Sequence, residues 1–322
     1  MGISHYIKEI GRGARGARPL DRAQARDLFG QVLDGSVTDL EIGAFCLAMR
    51  IKGETPQEMA GFLDATHARL VRFPAGTRPT IVLPSYNGAR RLPVLTPLLA
   101  LLLAREGLPV LVHGTPTEAG RVSAFDVLAA IGIDPAQASG PIAPGQVVCA
   151  PTALLSPGLV RLLDVRRVVG LRNPAHSVVK LMQPVAGDCV VVASYTHPDY
   201  AQSMAATFEL TGIDALLSRG LEGESAADPR RTAQVDGFVR GERIALQAQS
   251  PGTLSEVPGL PEAIDIETTA AYTRGVLAGD VPVPEAIERQ VAQIVLLAGH
   301  VSAAGRKPGA ADPRSDPEGD PT

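Results

Sequence analysis

The chain has 322 residues, of which 45% are hydrophobic, and it carries 30 Lys and Arg side chains against 34 Asp and Glu. This length and composition are typical of a globular protein of two domains, or of one large domain with an appendage, and they exclude a largely disordered chain, which would have fewer apolar residues and a higher net charge. The 33 glycines and 27 prolines follow no triplet period, which excludes collagen, and the absence of Trp disfavours a large base-stacking surface.

Residues 3–72 carry the signals of successive helices. The predicted helices cover residues 3–10, 21–32, 39–52 and 57–70. Asp21 is a typical N-cap residue, and Thr38 with Glu41 three residues later has the capping-box pattern. Pro56 suits the start of a helix, and Gly35 suits a helix end because glycine adopts a left-handed backbone without strain. These signals predict a small helical domain over residues 1–75.

Alternating strands and helices replace this pattern after Pro79. The predicted strands cover residues 80–83, 109–113, 147–150, 168–171, 189–193 and 215–217, and the predicted helices cover residues 95–105, 124–131, 200–211, 268–278 and 284–299. Such alternation is typical of an α/β domain with a central mixed sheet, here over residues 76–302. Residues 303–322 are polar and rich in Pro and Gly, and we expect them to form a disordered tail.

The cysteines and the apolar runs indicate a cytoplasmic protein. Cys46, Cys149 and Cys189 lie far apart and form no CxxC pair, which favours reduced thiols over a disulfide framework or a zinc site. The first residues contain no apolar signal core. The longest apolar run, residues 92–104, has 13 residues and two prolines, which is too short for a membrane span.

A GxGxxG pattern at Gly11, Gly13 and Gly16 has the wrong surroundings for a dinucleotide site, which requires a strand before the glycines and a helix after them. The segment is instead an arginine-bearing loop. Its arginines are Arg12, Arg15 and Arg18. Either this loop is solvated, or it is an arm that contacts phosphate.

The stretch from Thr80 to Gly132 resembles the core of the anthranilate phosphoribosyltransferase family. That family has a strand ending in a GTGGD loop, an N-x-S-T helix start, a KHGN turn and a GSADVLEALG-like helix. The matching positions here are Ile81-Val82, Thr96, His113-Gly114 and the run from Ser123-Ala124 to Gly132. The resemblance implies the fold of that family, and it implies that part of residues 155–178 returns to the helical domain.

The binding residues of the family are changed in this chain. The positions of the degenerate phosphoribosyl-pyrophosphate loop and its surroundings are Pro84, Ser85, Tyr86, Asn87, Gly88, Thr96, His113 and Gly114. Pro84 has no N–H, and the side chains of Leu83 and Tyr86 are expected where the anion would approach, so we expect the peptide donors for pyrophosphate to be lost. We therefore predict no catalytic residues.

The metal-binding segment of the family aligns with residues 219–226. Its Asp-Glu pair is replaced by Ser225-Ala226, although Glu222 and Glu224 nearby leave weak metal binding open. We expect no cofactor. Magnesium would be needed only if the chain were a phosphoribosyltransferase that uses phosphoribosyl pyrophosphate.

Basic residues appear where the family's binding residues are lost. Residues 1–172 hold 19 basic and 14 acidic side chains, so a basic face can exist on a chain whose net charge is −4. The candidate nucleic-acid-binding residues are Arg12, Arg15, Arg18, Arg90, Arg91, Arg121, Arg166, Arg167, Arg172 and Lys180. From the resemblance, we expect the last seven to line one cleft between the domains. A solvated helix face is the alternative for those in residues 161–172.

The GRGARG loop, the LRNPAHSVVKLMQP run and the RGLEGESAADPRR run are most similar to the YbiB-type branch of this family, glycosyl transferase family 3. The similarity covers roughly residues 1–300. It implies a nucleic-acid-binding homodimer joined through the helical domain, with single-stranded DNA or RNA bound without sequence preference and no membrane association. The alternatives are a phosphoribosyltransferase and a small-ligand or scaffolding protein.

Overall fold

The computed structural model describes residues 2–13 and 15–305. Four helices come first: α1 (Ser4–Ile10), α2 (Arg22–Asp34), α3 (Asp39–Lys52) and α4 (Pro56–His67). Asp21, Thr38 and Thr55 each accept a hydrogen bond from the backbone N–H three residues on and close a capping box, which confirms the predicted helix starts. Phe29 and Phe62 stack at 4.7 Å between ring centroids and form the centre of this bundle.

The rest of the described chain is an α/β unit. Its strands are β1 (Thr80–Ser85), β2 (Val110–Gly114), β3 (Val147–Pro151), β4 (Cys189–Tyr195), β5 (Ala215–Arg219), β6 (Val235–Val239) and β7 (Glu242–Gln247). Its helices are α5 (Thr96–Arg105), α6 (Ala124–Ala130), α7 (Thr152–Leu155), α8 (Pro157–Val169), α9 (Ala175–Leu181), α10 (Pro198–Thr211), α11 (Ile266–Ala278) and α12 (Glu285–Gly305). The α/β class is confirmed.

The strands form one mixed sheet in the order β3-β2-β1-β4-β5-β6-β7. β1 to β5 pair in parallel, and β6 and β7 add an antiparallel edge. Ser85 is in register with Gly114, and Tyr195 with Arg219. The carboxyl ends of these strands therefore meet at one edge of the sheet, which is where ligands bind in α/β folds.

The structure differs from the sequence predictions in several places. Residues 168–171 are not a strand: they lie at the end of α8, which Gly170 stops in a left-handed conformation. The hairpin of β6 and β7 was not predicted. α12 extends to Gly305, so residues 303–305 are helical and not part of a disordered tail, and the remainder of the predicted tail lies outside the described residues.

Helix α8 returns to the helical bundle and packs against α2. The Arg161 guanidinium donates to the Leu33 carbonyl oxygen at 2.8 Å, and the Cβ of any larger residue at Gly158 would come within 2.4 Å of that oxygen. Helix α9 follows and leads from the bundle to β4. Within residues 2–13 and 15–305, no helix combines the length and apolar character that crossing a membrane requires.

Candidate functional site

The loop after β1 directs its peptide donors at a carboxylate of the same chain. The backbone N–H groups of Tyr86, Asn87 and Gly88 donate to Oε1 of Glu224 at 3.1, 2.7 and 3.0 Å. We call these three N–H groups the amide nest. Converging peptide donors of this kind form a binding site for an anion. Here the Glu224 carboxylate, whose residue is only 2% exposed, is that anion.

Two hydroxyls and one glycine complete the amide nest. The Ser85 hydroxyl donates to Oε2 of Glu224 at 2.5 Å, and the Thr96 hydroxyl donates to the same oxygen at 3.2 Å. Gly88 has φ 68°, and a Cβ there would lie 2.7 Å from the Val122 carbonyl oxygen. The backbone of the loop therefore depends on glycine at this one position.

The expectation that the loop has lost its peptide donors is wrong. Pro84 precedes the donors and does not interrupt them. The Tyr86 side chain points away from the anion into the core, where its hydroxyl lies 3.0 Å from Nδ1 of His113 and 2.9 Å from the Thr152 hydroxyl. The loop has kept an anion site, and Glu224 fills it.

A second glutamate holds the next part of the loop. The Glu222 carboxylate accepts from the backbone N–H groups of Arg90 and Arg91 at 2.5 and 3.0 Å. Glu222 itself has φ 54°, a left-handed conformation that is unfavourable for a residue with a side chain. Both glutamates come from one short turn after β5, so this turn closes the loop after β1 at two points.

These residues do not fit a two-magnesium pyrophosphate site. The carboxylates of Glu222 and Glu224 are engaged by peptide N–H groups. The Ser225 hydroxyl donates to the Pro84 carbonyl oxygen at 2.8 Å, and Ala226 has no ligand atom in its side chain. Glu222 and Glu224 are therefore structural acceptors.

Beside the amide nest, three guanidinium groups surround Glu118. Arg166 donates to both of its oxygens, Arg172 donates to Oε1 at 2.8 Å, and Arg121 lies 3.9 Å from Oε2. Burial favours the neutral acid, but the hydrogen bonds from Arg166 and Arg172 outweigh it and lower the pKa of Glu118 to about 2. One carboxylate thus gathers three cations.

Asn87 connects these cations to the amide nest. Its side-chain oxygen accepts from Arg172 at 3.0 Å, and its carbonyl oxygen accepts from Arg121 at 3.2 Å. Lys180 lies on the other side of the turn after β5 and donates to the Gly223 carbonyl oxygen at 2.9 Å. Burial lowers the pKa of Lys180 to about 8. We call Arg121, Arg166, Arg172 and Lys180 the cleft cluster.

Two members of the cleft cluster border a cavity of about 470 Å³ between the helical and α/β parts. Arg172 and Lys180 line this cavity together with residues near the end of α3 and the start of α10. Arg90 and Arg91, whose side chains are exposed, follow Asn87 by three and four residues, and within the described residues neither forms an ion pair. The cations predicted from residues 90–180 are thus largely brought together.

Other predicted site residues are not part of this group. Arg167 is 77% exposed in its side chain and pairs with Asp164 on the same helix. Arg12 pairs with Glu9, and Arg15 and Arg18 are exposed in the loop between α1 and α2. The expectation that Arg167 lines the cleft is wrong, because it lies on a different face of α8 from Arg166.

His113 and Gly114 are core positions. His113 is fully buried, and this burial lowers its pKa to about 3. Gly114 lies so close to the Ser85 carbonyl that a Cβ would be 1.8 Å from its oxygen. Both residues therefore belong to the core next to the loop after β1.

Glu118 and the anchoring roles of Glu222 and Glu224 were not predicted from the sequence. In the structure Glu224 is a charged residue inside a run of buried residues, and the sequence around it gives no such signal. A buried charge requires a partner.

Comparison with known proteins places the chain in a family. The family profile described as "Glycosyl transferase family, helical bundle domain" matches residues 4–69. YbiB of Escherichia coli K12 is 41% identical over 310 residues, which cover 94% of this chain and 96% of YbiB. The chain belongs to glycosyl transferase family 3, on its YbiB-type branch. The residues that match the helical bundle domain of family 3 are those that form α1 to α4.

Other relatives and solved structures agree with this placement. The anthranilate phosphoribosyltransferase of Beijerinckia indica is 34% identical over 128 residues, which cover 40% of this chain and 36% of that enzyme. The crystal structure of the Thermus thermophilus anthranilate phosphoribosyltransferase superposes with a TM-score of 0.67 at 20% identity, and covers 92% of this chain and 98% of that one. The Saccharomyces cerevisiae enzyme, solved with PRPP and Mg, has a TM-score of 0.64 at 13% identity and covers 94% of this chain and 91% of that one. These structural matches show that the family 3 fold extends over nearly the whole described chain.

Proposed function

We propose that this family 3 protein binds nucleic acid through its backbone phosphates, without reading sequence, and does not transfer phosphoribose. The observation that supports this most is the grouping of the cleft cluster with Arg90 and Arg91 beside an amide nest that the chain has already filled. A small anion has no free peptide donors there, whereas a polyanion can contact the guanidinium groups along the rim.

The charge of this region favours a polyanion. The cleft cluster has four cations; Glu118 forms ion pairs with three of them, and Lys180 has the Glu224 carboxylate as a charged neighbour. The exposed side chains of Arg90 and Arg91 add two further charges. Guanidinium groups present a planar fork of donors that matches phosphate oxygens, and contacts to phosphate carry affinity without sequence information.

The phosphoribosyltransferase alternative requires an open pyrophosphate site and ligands for magnesium. The Glu224 carboxylate occupies the amide nest, and Ser225 and Ala226 replace the acidic pair. Both observations weigh against the transferase, and no cofactor forms part of the proposed function.

We further propose that the protein acts as a homodimer formed through its helical domain. Leu40, Leu47 and Ile51 recur at helical spacing on α3 and are 83%, 46% and 64% exposed. An apolar stripe of this kind is typical of a surface that another protein surface covers. A dimer would present two clefts and raise the apparent affinity for a long strand.

The test is binding of a fluorescent random-sequence single strand, followed by anisotropy over a series of salt concentrations. If each cleft contacts about four phosphates, the logarithm of the affinity should fall against the logarithm of salt with a slope of about −3. Arg90→Ala with Arg91→Ala should weaken binding equally for all sequences. Arg167→Ala, which removes an exposed guanidinium outside the cleft, should leave binding unchanged.

Two results would contradict the proposal. A slope near zero would show that phosphate contacts do not drive binding. Binding of phosphoribosyl pyrophosphate with release of pyrophosphate would show that the amide nest opens and that the protein is an enzyme.

A further inference from the structure

A second cavity, of about 670 Å³, opens at the carboxyl ends of β4 and β5. It lies next to the cleft, because Tyr195 and Thr196 line both cavities. The loops 231–234 and 249–253 form its outer wall. We call it the arginine cavity after three of its lining residues: Arg219, Arg231 and Arg243.

The arginine cavity has more positive than negative charge on its walls. Arg219 ends β5 with an exposed side chain, and within the described residues it forms no ion pair. Arg243 pairs with Asp236 at 2.9 Å, and Asp236 is the one acidic residue among those that line the cavity.

Arg231 has hydrogen-bonding capacity to spare. Its Nε lies 3.5 Å from the Asp228 carboxylate, but that carboxylate already accepts two hydrogen bonds from the side chain of Arg230 at 2.9 Å. The buried Nε of Arg231 has no hydrogen-bond partner among the described residues. The Arg231 side chain as a whole lines the cavity and is 36% exposed, and a guanidinium in such a position can bind an anion.

The other walls suit a nucleobase. The amides of Gln202, Gln234 and Gln249 offer both donors and acceptors, which is what the edge of a base requires. Tyr195 is half-buried at the end of β4 and lines the space from the side of the cleft. An aromatic ring in this position can stack on the face of a base.

We propose that the arginine cavity binds one nucleotide unit, with its phosphate on the arginines and its base against Tyr195. If the nucleotide unit belongs to a strand that continues from the cleft, this inference rests on the proposed function. A free mononucleotide carries the same phosphate and base and is the other source of such a unit. Bases of a duplex are stacked on each other, so only a single strand can place a base on Tyr195.

The experiment uses the full chain and follows three probes. They are labelled single-stranded and duplex oligonucleotides of about 16 residues, the upper site size of one single-strand-binding module, and unlabelled thymidine monophosphate titrated by calorimetry. Arg219→Gln with Arg231→Gln should weaken single-strand binding at least tenfold and reduce the salt slope by about 1.4, since two phosphate contacts are removed. Arg26→Gln, which removes an exposed guanidinium from α2, is the matched control.

Tyr195 is tested separately. Tyr195→Leu should weaken single-strand binding roughly tenfold and leave duplex binding unchanged, whereas Tyr195→Phe keeps the ring and should bind like the wild type. Arg219→Lys with Arg231→Lys keeps both positive charges and should retain most of the single-strand affinity that the two Gln substitutions remove. Thermal melting of each variant separates a folding defect from a loss of contacts.

The outcomes separate this inference from the proposed function. If the wild type binds single strands and the cavity variants match Arg26→Gln, the arginine cavity is not a binding site, while the proposed function stands. If oligonucleotides do not bind but thymidine monophosphate does, and Arg219→Gln with Arg231→Gln abolishes it, the cavity is a site for free nucleotides and the proposed function is wrong. If neither probe binds, both are wrong.

Discussion

Replacing Glu224 by alanine should destabilise the protein and at the same time create a site for a free anion. The substitution leaves the three peptide donors of the amide nest and the hydroxyls of Ser85 and Thr96 without their acceptor. A buried donor without a partner costs about 1–3 kcal/mol. Because water can enter the vacated space and satisfy some donors, we expect a total loss of about 3–5 kcal/mol.

Urea unfolding with and without pyrophosphate measures both effects. Pyrophosphate at about 100 times its dissociation constant should recover about 2.7 kcal/mol in Glu224→Ala and nothing at this site in the wild type. Glu222→Ala is the control, since its carboxylate is partly exposed and water can replace it, and it should lose about 1 kcal/mol. A loss below about 1 kcal/mol in Glu224→Ala with no response to pyrophosphate would refute the role of Glu224 as the resident anion.

Three further predictions concern the cleft and the dimer. Burial lowers the pKa of Lys180 from 10.5 to about 8, so the unfolding free energy of the wild type relative to Lys180→Met should rise as pH increases from about 8 to about 10.5, and a constant difference would contradict this. The pKa of Glu118 is lowered from 4.5 to about 2, so this residue should contribute stability that is present above pH 4.5 and lost as pH falls through about 2. Acid unfolding of Glu118→Gln compared with the wild type would measure this contribution. The same substitution should raise single-strand affinity about two- to fivefold. Leu47→Asp with Ile51→Asp should halve the mass measured by light scattering if the stripe on α3 is the dimer interface, whereas an unchanged mass would place the interface elsewhere.

The helix starts could be predicted because their signals are local. Asp21, Thr38, Thr55 and Ser123 each bond to a backbone group three residues away, so a short window of sequence contains all that decides the cap. Residues 168–171 were misassigned because a run of four residues that are mostly apolar fits either a short strand or a helix end. Gly170 was the signal that favoured a helix end, because glycine commonly terminates helices.

The site could be predicted only in part. The order of the elements that resemble anthranilate phosphoribosyltransferase located the loop after β1, and the arginines of residues 90–172 indicated a basic cleft. The filling of the amide nest could not be predicted, because Gly88 and Glu224 are 136 residues apart and no local pattern links them. Counting glycines was also misleading, since one glycine at a positive φ is enough to make three neighbouring N–H groups converge.

The hydrogen bond between Gly88 and Glu224 has a consequence for how the protein folds. It spans a segment of 136 residues, which includes β2, β3, β4 and β5. Contacts between such distant residues form slowly, because closing a long loop reduces the entropy of the chain before any contact compensates for it. The carboxyl end of β1 therefore matures only after β5 has joined the sheet.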